Sequence, residues 1–406
     1  MRVVIIGNGV AGVNTARAVA DCGVASEIAL FSRERYHYYP RPRLIEMLAG
    51  EVQPEALPQY PAAWYERRGI RVELGQEAVS IDRQAHSVMF ANGRVEPYDR
   101  LVLATGATCW VPPIEGANRQ CVYTLRTLDD AKAIRVCATQ ARHIVCIGGG
   151  LLGLDTSMAF AHSGASLTIL EALPWLLPKQ LDREGAAVLQ RLIEATGARV
   201  LTGVQVQAIA GDGRVRSVTL NSGEELPADT VLISAGVRSN TSLAVQAGLT
   251  CNRGIIVNER MQTDDPDIYA VGDCAEVHGM VWAIIPVALA QAKVAAAQVC
   301  GQADVLYEDV VPSTTLKVTG IDLTSIGEVN PQGGDFLEKR YQNANGSVYK
   351  KLVIRDGRAV GAILLGDRED VRAVNQLISL GIPLTPYLDR LFAPDFPLIE
   401  IVKAHQ

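Results

Sequence analysis

The chain has 406 residues, a length that predicts two to four domains at roughly 100–200 residues each. Its 38 Lys and Arg against 44 Asp and Glu give a formal net charge of −6, which argues against binding nucleic acid or anionic lipid with the whole surface. Hydrophobic residues at 48% and charged residues at 20% exclude collagen-like and disordered chains. Because the longest apolar stretch, 280–290, is too short for a bilayer and no export signal follows Met1, we expect a cytoplasmic protein without a membrane span.

The first predicted element is a buried parallel strand, Arg2–Ile6, which runs into a glycine-rich turn. The spacing G-x-G-x-x-G at Gly7, Gly9 and Gly12 leads into a helix-compatible stretch at 13–22. The first glycine permits the tight turn, the second lets a pyrophosphate approach the backbone, and the third lets helix and strand pack closely. The N–H groups at the start of the helix then face the phosphates. One such motif alone is weak evidence for a dinucleotide site.

The second predicted strand, Glu27–Ser32, should end at the group that binds the adenosine ribose of that dinucleotide. It ends in Ser32, with Arg33 and Glu34 directly after it. Either Ser32 or Glu34 is therefore the candidate for the ribose contact.

The glycine motif occurs a second time, because Gly148, Gly150 and Gly153 each lie 141 residues after the glycines of the first copy. The apolar run His143–Ile147 precedes them, and a helix-compatible stretch at 154–163 follows. Two copies in the same strand-turn-helix context predict two dinucleotide-binding domains.

The strand after the second motif, Ser166–Glu171, ends in a carboxylate 23 residues after Gly148. Glu171 can accept hydrogen bonds from both ribose hydroxyls, whereas a 2′-phosphate there would meet like charge. The residue therefore favours NADH over NADPH. The alternative is an exposed glutamate at a strand end that binds no ligand.

Three further apolar segments end in glycine or in Gly-Asp. Leu101–Gly106 and Val231–Gly236 are predicted strands that can carry the chain past a bound dinucleotide. In the third, Asp267–Asp273, the carboxylate of Asp273 can accept from a sugar-alcohol hydroxyl. The helix that follows has Pro286 near its start, and its N-terminus can face an anionic ring edge.

The pattern changes after the break at Val311–Ser313. Alternating segments surround a turn at Asp356-Gly357 and predict an antiparallel sheet: 314–320, 347–355 and 358–365. A helix is predicted at Arg368–Ser379.

Eight cysteines are spread along the chain, at positions 22, 109, 121, 137, 146, 251, 274 and 300. They form no C-x-x-C or C-x₄-C motif, and no histidine follows at zinc-finger spacing, so no metal site is predicted. Cys146 lies inside an apolar run. We therefore expect the cysteines to be thiols that pack in the core of a protein in a reducing compartment.

Taken together, in their order and spacing, five motifs resemble the FAD-dependent pyridine-nucleotide oxidoreductases: GNGVAG at 7–12, ATGA at 104–107, GGGLLG at 148–153, ISAGVRSN at 233–240 and TDDPDIYAVGD at 263–273. This resemblance covers about residues 1–300. Within that superfamily, Tyr38–Glu46 and Leu316–Gly327 are similar to NADH:rubredoxin oxidoreductases and to the flavin part of assimilatory nitrite reductases.

The resemblance implies an α/β fold with two Rossmann-like three-layer domains of the glutathione-reductase type and a C-terminal α+β domain. The FAD-binding domain would span 1–108 and 240–310, and the NADH-binding domain 109–239 would be inserted into it. Residues 311–406 would form a C-terminal domain for an interface or for docking of the electron acceptor.

Carried over residue by residue, the resemblance assigns one set of residues to FAD and another to NADH. The FAD set is Gly7, Gly9, Gly12 and Ser32 to Glu34, with Arg41 and Pro42 beside the flavin, Thr105 and Gly106 near the phosphates or ribityl chain, and Asp273 on the ribityl chain. The NADH set is Gly148, Gly150, Gly153 and Glu171, with Gly236 closing the domain.

Two departures from the family bear on the mechanism. Disulfide reductases place a redox cysteine pair in the first helix after the first glycine motif, but this chain has no Cys between 23 and 108, so dithiol chemistry at the flavin is not expected. In relatives that reduce ferredoxins, a Lys near the flavin pairs with a Glu after the second glycine motif. Here Glu46 and Asp155 lie at about those positions, and these acids either raise one another's pKa or are solvated at the surface.

The resemblance implies an NADH-dependent flavoprotein oxidoreductase. NADH would deliver a hydride to FAD, and the electrons would leave singly to a small iron protein such as rubredoxin. Two alternatives keep the same chemistry, an NADH oxidase and an electron-input flavin subunit of a partner enzyme. A third is a non-catalytic redox-sensing flavoprotein, and the oligomeric state stays open.

A cluster of arginines crowds the segment expected near the flavin: Arg33, Arg35, Arg41 and Arg43. One interpretation is a basic patch that steers an acidic redox protein. The other is a set of arginines that bind phosphate or form salt bridges.

Overall fold

The computed structural model describes residues 1–161, 163–309, 313–318, 320–393 and 395–405. Its strands are β1 (Arg2–Ile6), β2 (Glu27–Ser32), β3 (Ile70–Leu74), β4 (Ala78–Asp82), β5 (Ser87–Phe90), β6 (Val95–Pro97), β7 (Arg100–Leu103), β8 (Ala107–Cys109), β9 (Val122–Tyr123), β10 (His143–Ile147), β11 (Ser166–Glu171), β12 (Arg199–Thr202), β13 (Val206–Ala210), β14 (Ser217–Leu220), β15 (Glu225–Pro227), β16 (Thr230–Ile233), β17 (Val237–Ser239), β18 (Ile255–Ile256), β19 (Ile268–Ala270), β20 (Ala275–Glu276), β21 (Ser313–Val318), β22 (Ile321–Gly327), β23 (Leu337–Gln342), β24 (Tyr349–Arg355) and β25 (Arg358–Leu365). Its α-helices are α1 (Val10–Cys22), α2 (Arg43–Leu48), α3 (Ala62–Glu66), α4 (Leu128–Ala138), α5 (Leu151–Met158), α6 (Arg183–Glu194), α7 (Ser242–Gln246), α8 (Ile285–Val299), α9 (Val371–Ser379) and α10 (Leu398–Lys403).

The chain divides into two compact units. Unit 1 comprises Met1–Trp110 and Val237–Val310, and unit 2 comprises Val111–Gly236 and Val311–Gln406. Unit 2 thus contains both the expected NADH-binding domain and the expected C-terminal domain. The boundaries of the three domains stay predictions.

Unit 1 is built on a five-stranded parallel sheet in the order β19-β7-β1-β2-β3. Its central strand β1 is apolar and buried from Val3 to Ile6, as expected where helices cover both faces of a parallel sheet. Helix α1 ends at Gly23 in the left-handed conformation and packs along α8, whose many alanines permit a close approach. A smaller antiparallel sheet, β4-β5-β6, lies beyond β3 in the sequence.

Unit 2 repeats this architecture in a second parallel sheet, ordered β12-β11-β10-β16-β9. The registers correspond, since Ile6 pairs with Phe31 in unit 1 and Ile147 pairs with Leu170 in unit 2. The predicted pair of Rossmann-like folds is confirmed. Helix α5 begins three residues before the predicted start at 154 and ends at Met158, and position 162 of the predicted helix lies outside the described residues.

The C-terminal part of unit 2 carries a five-stranded antiparallel sheet in the order β21-β22-β25-β24-β23. The predicted antiparallel sheet is therefore confirmed, and β24 and β25 match the predicted segments closely, although β22 and β23 were not predicted. The predicted segment 314–320 corresponds to β21 but includes residue 319, which lies outside the described residues, as do 311 and 312 of the predicted break. Helices α9 and α10 pack against this sheet around a small apolar core.

The cysteines correct one expectation. Cys121 and Cys137 form a disulfide in unit 2, so they are not free thiols. Cys146 and Cys274 are buried thiols as predicted, and burial raises the pKa of Cys146 to about 11. Core packing thus describes part of the set, and the disulfide has to be explained separately.

Among the described helices, none combines the length and the apolar character that crossing a bilayer requires.

Candidate nucleotide-binding sites

The first glycine turn follows β1 and is closed by contacts that leave no room for a side chain at two of its glycines. Gly7 has φ +116°, and a Cβ there would lie 2.1 Å from the carbonyl oxygen of Ala104. A Cβ on Gly12 would lie 1.8 Å from the carbonyl oxygen of Gly7. Gly9 differs, because a Cβ there would meet no protein atom within 4 Å. The packing of the protein therefore requires Gly7 and Gly12, while Gly9 faces open space.

The second turn, after β10, repeats this arrangement. A Cβ on Gly148, at φ +114°, would lie 2.2 Å from the carbonyl oxygen of Ser234, and one on Gly153 would lie 2.0 Å from that of Gly148. A Cβ on Gly150 again meets nothing within 4 Å. In each turn the middle glycine keeps a cradle clear that a methyl group would fill, which fits a ligand approaching the backbone.

Helices α1 and α5 begin directly after these open glycines. Gly9 and Gly150 are the N-cap residues, and neither helix has a side-chain cap or an acidic residue in its first turn. Backbone N–H groups at a helix start carry a partial positive charge. Together with the open glycines, they form two positions suited to a pyrophosphate.

At the end of β11, Glu171 is buried at 9% exposure, which contradicts the alternative of an exposed glutamate. Its Oε2 accepts a hydrogen bond from the N–H of Gly149 at 2.8 Å, and its Oε1 accepts one from the N–H of Leu173, also at 2.8 Å. The carboxylate thus ties the glycine turn to the loop after β11. Any ribose hydroxyl that binds there shares these oxygens with the backbone.

Gly149 is a site residue that the motif alone does not single out. A Cβ on Gly149 would lie 2.5 Å from Cδ2 of Leu176 and 3.1 Å from Cβ of Glu171. The signal was the run of three glycines at 148–150, which the first turn lacks because Asn8 occupies the corresponding position.

At the end of β2, the buried Ser32 occupies the position that corresponds to Glu171. Glu34 accepts hydrogen bonds from the Tyr39 hydroxyl and from the Arg41 guanidinium, the latter at 3.0 Å. Pro42 is the N-cap residue of α2. The structure thus pairs Glu34, two residues after the strand end, with Arg41.

Thr105 and Gly106, after β7, are bound to the chain that returns from unit 2. The Thr105 hydroxyl donates to the Asn240 carbonyl at 2.8 Å, and the Asn240 amide donates to the Thr105 carbonyl at 2.8 Å. The backbone N–H of Asn240 donates to Gly106 O at 2.9 Å, and the Thr108 hydroxyl donates to its Oδ1 at 3.1 Å. Asn240 lay within a quoted motif, but its side chain had no predicted role.

Asp273 lies in a single 3₁₀ turn, Gly272–Cys274, after β19. Gly272 has φ +77°, and a Cβ there would lie 2.9 Å from Cβ of Ala11 in the first turn of α1. The N–H of Gly272 donates to Oε1 of the buried Gln291 at 2.7 Å, and the Ser239 hydroxyl donates to the Asp273 carbonyl at 2.7 Å. These contacts place Asp273 beside the first glycine turn, at the carboxyl ends of β1, β7 and β19.

In unit 1 the structure therefore brings together the first glycine turn, Thr105, Gly106 and Asp273. In unit 2 it brings together the second glycine turn and Glu171. Gly236, at φ +104°, lies three residues after the end of β16.

The two acids considered for catalysis have different surroundings. Glu46 pairs with Arg43, with 3.0 Å between Oε2 and Nε. Asp155 lies on α5, and burial raises the pKa of its carboxyl to about 7. Its Oδ1 is buried without a hydrogen-bond partner among the described residues. The raised pKa has burial as its cause, so the expected mutual effect of two acids does not account for it, and both catalytic roles stay predictions.

Most of the arginine cluster is neutralised by nearby carboxylates. Three of its four members lie within 4 Å of a carboxylate oxygen: Arg33 with Glu77 at 3.7 Å, Arg41 with Glu34 at 3.0 Å and Arg43 with Glu46 at 3.0 Å. This pattern favours the salt-bridge interpretation over a free basic patch. The described residues contain no group of three or more side chains that could hold a metal ion.

Comparisons with known proteins agree with this architecture. Residues 1–298 match the family model described as pyridine nucleotide-disulphide oxidoreductase, and residues 312–382 match that of the rubredoxin NAD+ reductase C-terminal domain. The chain is 34% identical to the nitrite reductase [NAD(P)H] of Bacillus subtilis over 91% of its own length and 46% of that protein. It is 32% identical to the rubredoxin-NAD(+) reductase of Ectopseudomonas oleovorans, over 74% of this chain and 80% of that one.

Among solved structures, the chain is similar to putidaredoxin reductase in its covalent complex with putidaredoxin. The TM-score is 0.89 at 29% sequence identity, with 99% of this chain and 98% of that chain covered. The chain spans about half the length of the curated nitrite reductases that it matches.

Proposed function

The chain belongs to the pyridine nucleotide-disulphide oxidoreductase family, and from this membership we propose that it is an FAD-dependent NADH oxidoreductase that passes electrons to a small iron-containing redox protein such as rubredoxin. The duplicated glycine turn, each copy with an open middle glycine before an uncapped helix, is the observation that carries the proposal. The C-terminal match to rubredoxin reductases supports the choice of acceptor. A cytoplasmic location, where NADH is available, is part of the proposal.

We assign FAD to unit 1 and NADH to unit 2. When bound, FAD supplies the redox chemistry, taking electrons in pairs from NADH and releasing them singly. In unit 1, the N–H groups at the start of α1 hold the FAD pyrophosphate, and Asp273 accepts from a ribityl hydroxyl. Thr105 and Gly106 line the same place, where Asn240 fixes their backbone. We assign Glu34 to the adenosine ribose and Arg41 to the flavin; the hydrogen bond between them supports a common position near the end of β2.

In unit 2, the N-terminus of α5 holds the NADH pyrophosphate and Glu171 orients the adenosine ribose. Because both of its oxygens also bind backbone N–H groups, Glu171 is held in one place before the coenzyme arrives. A 2′-phosphate would meet this fixed negative charge, which supports a preference for NADH. The proposal gives no side chain an acid–base role.

A second candidate, an electron-input flavin subunit for a partner enzyme, is supported by the 34% identity to a nitrite reductase of which the chain covers 46%. In that case the natural acceptor is a redox centre on another protein. The chemistry of units 1 and 2 is the same in both candidates.

The central experiment is anaerobic reduction of the purified protein by NADH. We expect flavin absorbance that bleaches on addition of NADH and returns through many cycles when an artificial acceptor is supplied. A colourless protein that does not bind added FAD, or a flavin that NADH fails to bleach, would overturn the proposal. A single slow reduction to a stable complex would instead support a redox sensor.

The acceptor is then identified by following NADH oxidation with rubredoxin, ferredoxin, dioxygen and a quinone in turn. We expect the highest kcat/KM with rubredoxin. Faster turnover with dioxygen would identify an NADH oxidase, and slow turnover with all four would favour the electron-input subunit.

A further inference from the structure

The disulfide of unit 2 joins two parts of the fold that lie 16 residues apart in sequence. Cys121 directly precedes β9, the edge strand of the second parallel sheet, and Cys137 lies near the end of α4. The backbone of Cys121 has φ +64°, a left-handed conformation that non-glycine residues rarely adopt. The bridge therefore fastens an unusual backbone position to a helix.

The two sulfurs have unequal surroundings. Cys137 is 6% exposed, whereas Cys121 is only partly buried. The Thr230 hydroxyl lies 3.5 Å from the Cys137 sulfur, and the Arg214 guanidinium lies 3.9 Å from it. A hydroxyl donor and a cation beside one sulfur stabilise that sulfur as a thiolate. An outside thiol would thus attack Cys121, and Cys137 is the better leaving group.

We propose that Cys121–Cys137 is a reversible thiol–disulfide site, opened by a low-molecular-weight thiol such as glutathione or by a dithiol reductase. A thiolate RS⁻ attacks the Cys121 sulfur, an RS–S bond forms and the Cys121–Cys137 bond breaks, which releases the Cys137 thiolate beside Arg214. A second RS⁻ attacks the RS sulfur of the mixed disulfide and releases the Cys121 thiolate. Two RSH are oxidised to RSSR, and the two protein thiolates take up the two protons.

Opening the bridge acts on the segment from Val111 to Cys121, which contains no helix or strand. This segment is otherwise held by backbone contacts with the hairpin of β13 and β14: Ile209 N–H to Glu115 O at 2.8 Å, and Val215 N–H to Gln120 O at 3.1 Å. The Arg119 guanidinium also donates to Gly211 O at 3.1 Å. With the bridge open, the left-handed backbone at Cys121 is free to relax, and the end of the segment loosens.

The first test measures how fast the bridge is reduced. The oxidised protein is treated with an excess of reduced glutathione, and new thiols are counted by alkylation and mass spectrometry of the peptides that contain Cys121 and Cys137. In Arg214→Met we expect reduction to slow by about threefold to tenfold, because the leaving thiolate loses its cation. The matched control is Arg216→Met, which removes the same charge from an exposed arginine on the same hairpin and leaves the rate unchanged.

The second test measures the opening of the segment by limited trypsin digestion after Arg119. We expect cleavage there to be several-fold faster in reduced than in oxidised protein. Cys137→Ser, which cannot form the bridge, should be cleaved at the fast rate under oxidising and under reducing conditions. If this variant fails to fold, the reduction assay on the arginine variants still tests the proposal.

Three results would overturn the proposal: no bridge in protein treated with oxidised glutathione, a bridge that resists excess reduced glutathione, or equal reduction rates in Arg214→Met and Arg216→Met. Equal cleavage of oxidised and reduced protein would overturn the loosening of the segment. All readouts are thiol counts and peptide masses, so they are independent of the proposed electron transfer.

Discussion

At the scale of single residues, Gly9 and Gly150 are the clearest signs of a ligand. Four other glycines of the two motifs have a carbonyl oxygen of the protein within 2.2 Å of a hypothetical Cβ: Gly7, Gly12, Gly148 and Gly153. Gly9 and Gly150 meet no such atom, and both have extended backbone that alanine can adopt. The absence of a side chain at these two positions therefore fits a ligand that approaches the backbone.

We expect Gly9→Ala and Gly150→Ala to separate the two cofactors. Gly9→Ala should lower FAD affinity at least about tenfold, and Gly150→Ala should raise the KM for NADH by a similar factor while FAD stays bound. The free energy of unfolding of the apoprotein should change by no more than about 1 kcal/mol in each variant. Flavin fluorescence titration, NADH kinetics and chemical denaturation measure the three quantities.

Each variant is the control for the other, since both add one methyl group at the start of a helix. Gly7→Ala is the contrasting case, and we expect it to unfold or to lose several kcal/mol, because its Cβ overlaps Ala104 O. Wild-type FAD affinity in Gly9→Ala would contradict the assignment of the first turn.

Asp155 makes stability depend on pH. Its pKa is raised from 3.8 to about 7 by burial, so the folded state keeps a proton that the unfolded state loses. The free energy of unfolding that the protonated Asp155 contributes is fully present below about pH 4 and is lost as the pH rises through about 7. When the pH is raised from about 5.5 to about 8.5, we expect the free energy of unfolding of Asp155→Asn to increase by about 2 kcal/mol relative to that of the wild type.

Urea denaturation of both proteins at the two pH values tests this expectation. Glu46→Gln is the control, because Glu46 pairs with Arg43 at the surface and should show no such gain. If the difference in free energy of unfolding between Asp155→Asn and the wild type is the same at both pH values, the expected titration of Asp155 is wrong.

At the residue level, the sequence predicts the glycine turns where spacing carries the information, and the binding roles of their residues stay predictions. The glycines of both turns and Glu171 follow from a motif whose geometry is local. Gln291 and the side-chain role of Asn240 did not follow, because each contacts a segment 19 to 135 residues away. No local pattern marks such long-range hydrogen bonds.

At the scale of elements, agreement was best for strands buried on both faces. β1, β10 and β16 are continuous apolar runs, and such runs are read directly from sequence. β23 is an edge strand with little burial, so its alternation is weak and it was not predicted. Helices α1 and α5 begin directly after the middle glycine rather than after the third one, because the third glycine lies within the first helical turn.

A buried ionic cluster connects α6 to the C-terminal sheet within unit 2. The Lys351 side chain is 2% exposed, and its Nζ lies 3.0 Å from Asp182 Oδ2 and 2.9 Å from Glu338 Oε1. The Tyr349 hydroxyl donates to Asp182 Oδ2 at 2.7 Å, and Asp182 also caps α6. Burial raises the pKa of Asp182, but the Gly185 N–H, the hydroxyl and the ammonium outweigh it, and the net pKa is lowered.

We expect Lys351→Met to destabilise the protein by about 2–3 kcal/mol, because the buried Asp182 then loses its ammonium partner at 3.0 Å and keeps only the more exposed Arg340 guanidinium at 3.8 Å among the described residues. Lys403→Met is the matched control, since Lys403 forms an exposed pair with Glu400 at 2.8 Å and should cost less than about 1 kcal/mol. Chemical denaturation measures both changes. Equal losses in the two variants would show that the cluster does not fasten α6 to the sheet.

At the scale of the whole molecule, the charge distribution argues against strong electrostatic steering of the acceptor. The net charge is −6, and three of the four clustered arginines are paired with carboxylates. Steered associations gain 10- to 1,000-fold in rate and lose it with salt. We therefore expect acceptor reduction to change by less than about threefold between low and physiological ionic strength.

Stopped-flow reduction of rubredoxin over a salt series tests this expectation, with NADH-dependent flavin bleaching as the internal control for salt effects on the protein itself. A steep fall in the rate of rubredoxin reduction alone would restore the basic patch as a docking surface. The sequence could not decide between a basic patch and salt bridges. It gives the number of charges, but it does not show that Glu34 and Glu77 lie next to Arg41 and Arg33 in the fold.

The antiparallel pair of β8 and β17 sets Cys109 opposite Val237. The chain thus leaves unit 1 and re-enters it on adjacent strands, about 5 Å apart. Residues 111–236 are therefore a continuous insertion whose two ends lie close together. Under the proposed assignments, exchanging this insertion for that of an NADPH-dependent relative would change the coenzyme without new linkers, provided that Asp182, which contacts Tyr349 and Lys351 of the C-terminal sheet, is kept.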